Sequence, residues 1–454
     1  MSVRKLLLTL LLPSLGFCAD ETQLLQKILQ RLDRLEEQNQ QLTDEVRSLR
    51  EQLAATSGAA AAPAAPKETG ARLEERTAAL EQRTADLDQV KVEASQKFPI
   101  RLTGMALFNS FLNGANNGGS QNPEVAALTP GPSTSGASFH QTTLGLLFFG
   151  PQVAGAKVSG RVDADFYGSY SGSIGQIVRL RTAAVNVDWK NQSVSLGVEA
   201  PLISPRSPNS LAEVGAPPLS GAGNLWLWQP QFRVEQRFSL GDTTGIRAQG
   251  ALYETNETGY LAASDDNQTI EKARPGYEGR VELWTHPSGG SRYEIASGFH
   301  LSTSHSGGWS IPSRVYTVDW LISPWSKLEW TGTYFTGRNL TGIGGIGPGY
   351  RVRYDSDSGG VYVSPVHSTG GWTQLSYLAT SRLTFNAFAG EQANRAADLR
   401  SGAIGRNFSY AVNAMYRLTP NILTGIEAMQ IRTNYLGAGT RLQNRYDLAL
   451  AYLF

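Results

Sequence analysis

The chain has 454 residues, of which 17% are charged and 41% hydrophobic, with 48 Gly, 21 Pro, one Cys and a formal net charge of +1. Soluble domains average about 25% charged residues, yet mean hydropathy is still negative, so small and hydroxylic residues make up the difference. That balance excludes a polytopic helical membrane protein, which needs apolar runs of ~20 residues. It also argues against a disordered or nucleic-acid-binding chain, and the lone cysteine excludes a disulfide framework.

Residues 1–19 read as a secretory signal: Arg4 and Lys5, an apolar stretch from Leu6 to Phe17, then Cys18-Ala19. A lipid on Cys18 is the alternative, and bulky Phe17 fits it badly. Residues 20–53 read as a coiled coil. Leu25, Ile28, Leu32, Leu35, Asn39, Leu42, Val46, Leu49 and Leu53 alternate spacings of three and four, the seam of a heptad. Asn39 at an a position fixes register; it hints at a dimer, while a fused domain can impose three strands. Residues 54–66 form an Ala/Pro linker. Residues 67–97 hold a second, weaker helical stretch in which Leu73, Leu80 and Leu87 recur every seven residues. With about 11 basic and 15 acidic side chains in 20–97, the stalk is acidic and the remainder mildly basic.

From 98 to 454 the helical period stops. Alternating polar and apolar residues take over in blocks separated by Gly, Asn, Ser and Pro, the pattern of strands with one apolar and one wet face. Sixteen strands are expected: 100–111, 139–149, 157–167, 177–189, 193–202, 225–238, 245–254, 277–285, 292–303, 314–322, 327–336, 372–379, 383–391, 408–418, 422–432 and 442–454. They are longer than the usual soluble strand. Short gaps follow the even-numbered strands and longer gaps the odd ones. Short turns on one side, long loops on the other and an even count describe an antiparallel transmembrane barrel of the bacterial outer membrane. The expected fold is thus an all-β barrel of about 16 strands preceded by an α-helical coiled coil. With an even count both barrel ends face the periplasm, so the coil lies there. Trp189, Trp226, Trp228, Trp284, Trp320 and Trp330 near strand ends fit interfacial girdles, and Trp226 and Trp228 fit a subunit contact equally well.

The end of the chain, YDLALAYLF, places Tyr446, Leu448, Leu450, Tyr452 and Phe454 on one face. This stretch resembles the C-terminal signal by which the barrel-assembly machinery recognises outer-membrane porins. The layout as a whole, with FPIRLTGMALFNSF opening the barrel and IVRLRTAAVNVDW as a fourth strand, resembles the trimeric DcaP-like porins. The resemblance implies a homotrimer in contact with outer-membrane lipids and an aqueous channel for small hydrophilic solutes, with organic anions such as dicarboxylates as permeants. It also implies that the third external loop, 203–224, folds inward to narrow the pore; an ordinary Pro-rich surface loop is the alternative. That loop carries Arg206 and Glu213.

Alternation nominates the lumen residues: Lys157, Arg161, Asp163 and Asp165; Arg233, Glu235 and Arg237; and Glu278, Arg280 and Glu282. Arg179 and Arg181 share parity with apolar Val185, Val187 and Trp189, so either a bulge near Thr182 reverses the facing or these arginines meet an interface; the bulge is the expectation. Rings of basic residues favour anions and acidic rings favour cations; both signs are present. For any single one of these charges, simple lumen solvation with mutual salt bridging is the stronger reading. A structural reading competes with the channel: a barrel that anchors a periplasmic tether to the cell wall. A membrane-embedded hydrolase has less behind it. His140, His286, His300, His305 and His367 are available and Ser302, Ser304 and Ser306 lie nearby, but no nucleophile elbow surrounds them. No metal, cofactor or nucleic-acid motif is found, and no enzyme activity is expected.

Overall fold

The computed structural model describes residues 100–168, 177–254, 275–287, 289–306, 309–354, 357 and 359–454. The expected signal, coil, linker and second helix lie outside the described residues.

The barrel opens with β1 (Ile100–Asn113) and continues through β2 (Thr134–Ser138), β3 (Thr143–Val153), β4 (Ala156–Asp165), β5 (Arg179–Asp188), β6 (Gln192–Glu199), β7 (Gln229–Ser239), β8 (Thr244–Tyr253), β9 (Gly276–Thr285), β10 (Arg292–Ser306), β11 (Trp309–Trp325) and β12 (Leu328–Arg338). A separate hairpin, β13 (Tyr350–Tyr354) with β14 (Val361–Pro365), interrupts the order. β15 (His367–Leu378), β16 (Leu383–Asn394), β17 (Ile404–Thr419), β18 (Ile422–Tyr435) and β19 (Gly439–Leu453) complete the wall. Each strand pairs antiparallel with the next, and β19 returns to β1 from Met105↔Leu453 to Asn113↔Arg445. Closure leaves the wall no edge, so its strands' backbone groups find ladder partners without water.

β2 and β3 share one position in the wall. β2 pairs with Asn109–Asn113 and β3 with Ile100–Met105, so sixteen strand positions close the barrel. The expected second strand, 139–149, overlaps only β3: it takes the break before β3 for strand and leaves β2 in the preceding gap. The break falls at 139–142, where the Thr142 amide donates to Phe139 O and Thr142 Oγ1 accepts from the Leu107 amide; it releases Gln141 to point inward. Two further expectations need correction. β7 starts at Gln229 rather than 225, because Leu225–Trp228 belong to the loop before it. β10–β11 and β18–β19 are joined by links as short as the turns, so loop-length parity fails at those two positions.

Alternation sorts the faces. Val185, Leu196, Val234, Val281, Leu283, Tyr316, Ile426 and Leu448 are exposed on the outside, as a lipid-facing belt requires. Tyr446, Leu450, Tyr452 and Phe454 share that exposure. Phe454 and Gly104 exchange backbone hydrogen bonds of 3.0 and 3.1 Å, and a Cβ at Gly104 would lie 2.8 Å from the Phe454 ring. Only glycine lets the terminal ring close against the first strand.

Candidate pore constriction

Residues 200–228, between β6 and β7, run through the barrel interior. The base of this loop sits against β9–β11. The Leu202 amide donates to Glu278, and Ile203 packs with Leu225, Val315, Phe335, Leu340 and Ile343. Further along, the Asn209 amide donates to Gln374 of β15 (2.6 Å), Ser210 Oγ to Glu427 of β18 (2.6 Å) and Asn413 of β17 to Asn209 O (2.8 Å). Leu211 packs with Leu107, Ala449 and Ala451, and Leu211 O accepts from Asn109 (2.7 Å). Gln141 clasps the tip: its amide nitrogen donates to Ala212 O at 2.7 Å, and its oxygen accepts from the Val214 and Gly215 amides. At the far wall Gly215 O accepts from Arg179 at 2.6 Å.

The returning limb seats against bare backbone. Leu219 and Ala222 pack with Trp372, Phe388, Ala411, Met429 and Ile431. At Gly390 a Cβ would meet Ala222 O at 2.2 Å. Pro205, Pro208, Pro217 and Pro218 restrict the loop's φ angles and lower the entropy lost on seating it.

Three lumen candidates are sealed behind this loop. Glu278, Arg280 and Glu282 are 4%, 3% and 0% exposed, which corrects their place on an open wet face. Arg206 of the loop ion-pairs with Glu282 (3.6 Å), Glu294 and Asp319. Arg280 donates to Asp319 at 2.8 Å and to Glu282, and Arg247 adds a 3.4 Å pair with Glu282. Buried carboxylates persist only when charge and hydrogen bonds offset their desolvation. Arg206 is thus a half-buried anchor for buried carboxylates. Glu213 is 8% exposed, and burial, which outweighs the opposing Arg445 charge and is reinforced by nearby Glu427, Asp447 and Glu124, holds its carboxyl well above the usual range.

The other half of the wall differs in its arginines, which stay partly exposed, but Asp163 and Asp165 are 9% and 1% exposed and so are likewise corrected from an open wet face. On β4, Arg161 forks onto Asp163 (Nη2–Oδ1 2.9 Å) and its side chain is 61% exposed. Thr182 Oγ1 also donates to Asp163, at 2.9 Å. Asp163 pairs with Thr182 but Ala164 with Leu180, leaving Arg181 as the extra residue of a bulge. That insertion lets Val185 and Leu180 face outward while Arg179 and Arg181 both reach Asp165, at 2.8 and 3.6 Å. The two guanidiniums lie 5.3 and 5.0 Å from the Trp228 ring centre. Trp228 therefore belongs to neither a membrane girdle nor a subunit contact. Arg233 pairs with Glu199 (3.3 Å), Arg237 with Glu235, and Glu235 also accepts from Gln249 (2.7 Å). Lys157 is exposed near the short-turn end.

Sequence reading missed Arg247, Asp319, Glu294, Glu427, Arg445 and Gln141. Parity alone nominates Arg247 and Asp319, each a lone charge between outward apolar neighbours. Gln141 carries no such signal, because its role depends on the break between β2 and β3. His300 is one of the five histidines considered for hydrolysis. It lies 2.9 Å from Glu278 and 3.3 Å from Ser302 Oγ, but Tyr253 Oη is nearer its Nε2, at 2.6 Å. The phenol takes the place a nucleophile would need, and the cluster braces Glu278 beneath the loop. Among the described residues no group of three or more His, Cys, Asp or Glu is placed to hold a metal ion.

No family model and no curated protein matches the chain. Among solved structures the barrel is similar to the outer-membrane channel DcaP of Acinetobacter baumannii, with 16% identity, a TM-score of 0.62 and coverage of 78% of this chain and 97% of that one. It is also similar to an anion-selective porin from Comamonas acidovorans, with 11% identity, a TM-score of 0.50 and coverage of 78% and 99%. At these identities the likeness is one of architecture: the chain has the sixteen-stranded barrel fold of outer-membrane porins, and its sequence-level resemblance to DcaP-like channels is met by a fold of the same kind.

Proposed function

We propose that this protein is a passive outer-membrane channel whose solutes pass between the inward loop and the β4–β8 wall, and that it prefers small organic anions such as dicarboxylates. The observation that carries this reading is the division of charge. The loop covers the acid-rich face of β9–β11 and joins it to Arg206, while Arg161, Arg179, Arg181, Arg233 and Arg237 stand on the adjoining β4–β7 wall with side chains 17–61% exposed, and Arg247 of β8 links the two regions. A basic row along a narrow aqueous path raises the local concentration of anions and lowers their entry barrier. Asp163, Asp165, Glu199 and Glu235 hold those arginines in place without neutralising them all. The anion selectivity named for the Comamonas porin is in keeping with this reading.

On the same reading residues 20–53 assemble copies of the chain, with a trimer as the expected state, and stand in the periplasm. The last strand serves as the signal for barrel assembly. Planar-bilayer recordings of the purified protein across a salt gradient test the proposal. Discrete channels with a reversal potential of anionic sign are expected. A barrel without conductance would instead favour an anchor that displays a periplasmic tether.

A further inference from the structure

On the outward face, the register brings basic residues of neighbouring strands into one row. Arg314 of β11 stands directly opposite Arg338 of β12, and Arg338 opposite His367 of β15. All three share parity with exposed Tyr316, Tyr334 and Leu375, so they point away from the interior. Arg395, whose amide donates to His367 O at 2.8 Å, follows at the same level and is exposed. Like charges directly opposed across an antiparallel pair destabilise it. The compensation present is partial: Asp398 takes the His367 Nδ1 hydrogen bond at 2.8 Å. Neither Arg314 nor Arg338 has an acidic or hydrogen-bonding partner among the described residues.

The position of the row is informative. Two residues further toward the short-turn end lies Tyr316, with Tyr334 one rung beyond on β12. Aromatic rings of that kind settle at the headgroup level of a bilayer, and one rung of two residues is about 7 Å along a strand. The arginines thus sit where lipid phosphates lie. Beside Arg314 the same outward face sinks into a hollow of about 640 Å³ lined by Tyr277, Leu301, Pro312 and Tyr316 and, on its polar side, by Ser302 and Ser313. A hollow with an aromatic and aliphatic side, next to an uncompensated pair of guanidiniums, matches a molecule with an anionic head and a hydrocarbon body.

We propose that Arg314 and Arg338, flanked by His367, bind the phosphate of an anionic lipid headgroup in the long-loop leaflet, with the lipid's apolar part in the hollow beside β9–β11. Guanidinium pairs suit phosphate because they present several N–H donors in a fixed plane. The inference rests on the outward face meeting lipid and is independent of whether the barrel conducts.

The test uses the full-length protein in detergent, followed by native mass spectrometry. The probes are a bis-phosphorylated diglucosamine lipid, its dephosphorylated counterpart and inorganic phosphate. Wild-type protein should retain the phosphorylated lipid, and Arg314→Gln with Arg338→Gln should weaken retention about tenfold. Arg314→Lys with Arg338→Lys should keep most of it, and millimolar inorganic phosphate should not displace the lipid. Both pairs of substitutions are on the surface, so heat-modifiable gel mobility and channel conductance should match wild type. Equal retention by the glutamine variant, or equal retention of the dephosphorylated lipid, would overturn the proposal. So would displacement by free phosphate, which would mean an ion site rather than a lipid site. A change of oligomeric state in place of a change in lipid retention would assign the row to a contact between copies and overturn it too. Failure of the protein to insert into liposomes would defeat the membrane reading itself.

Discussion

Arg206, on the loop inside the barrel, donates to Asp319 of β11 across 113 positions of chain. The same guanidinium reaches Glu294 and Glu282, so one side chain ties the loop to three strands. Arg206→Ala leaves those carboxylates to Arg280, Arg247 and Arg292, and breaking such a buried arrangement costs about 3–5 kcal/mol. The variant should show higher and noisier single-channel conductance and a lower temperature of barrel unfolding, read by heat-modifiable gel shift. Conductance and stability both equal to wild type would remove Arg206 as the anchor.

The glycine seat gives an independent probe of the same loop. A side chain at Gly390 collides with Ala222 O, whereas the nearest atom to a Cβ at Gly250 is 3.7 Å away. Overpacking of a fixed backbone costs about 1–3 kcal/mol. Gly390→Val should therefore unseat the returning limb and expose residues 219–223 to added protease, while Gly250→Ala behaves as wild type.

Selectivity should follow the β4–β8 wall. Arg161→Glu combined with Arg237→Glu exchanges two of the more exposed cations for anions. The reversal potential in a salt gradient should move toward cations by tens of millivolts, with the largest effect at low ionic strength, where screening is weak. Arg280→Gln, behind the loop, should alter stability far more than selectivity.

Glu213 supplies a pH dependence. Burial holds its carboxyl well above the usual range in the seated loop, whereas a loop released to water has an ordinary carboxylate. The seated state therefore binds more protons. Its stabilisation is complete below the ordinary carboxylate range and declines as pH rises through the elevated value. Open-channel noise should grow as pH is raised from about 4 to 9, and Glu213→Gln should hold noise near its low-pH level throughout. A wild-type trace that is equally quiet at every pH would contradict this.

Much of the wall was legible because a barrel strand is a local object. Phe408, Tyr410, Val412, Ala414 and Tyr416 show their outward face in sequence, as do Val281 and Leu283, since side chains alternate whatever the strand's neighbours are. Even the bulge at Arg181 was marked, because charge and apolar parity conflict across Thr182. The β2–β3 break and the β13–β14 hairpin were not legible. Five-residue strands such as Thr134–Ser138 and Val361–Pro365 carry too little alternation to rise above a loop.

The sequence by itself determined that the chain is a barrel of about sixteen strands and, where alternation is clear, which side of a strand meets lipid. Hydrophobic transfer imposes that requirement residue by residue, with no reference to distant parts of the chain. Only the tertiary structure decided which polar side chains stay open. Glu278, Arg280 and Glu282 look the same in sequence as Arg233, Glu235 and Arg237. The first three are buried because a loop that starts at residue 200 crosses to β9–β11 and places Arg206 among their acids, while the second three remain beside the opening. Contacts spanning more than a hundred residues depend on where the closed wall brings the strands, and alternation within a single strand carries no record of that.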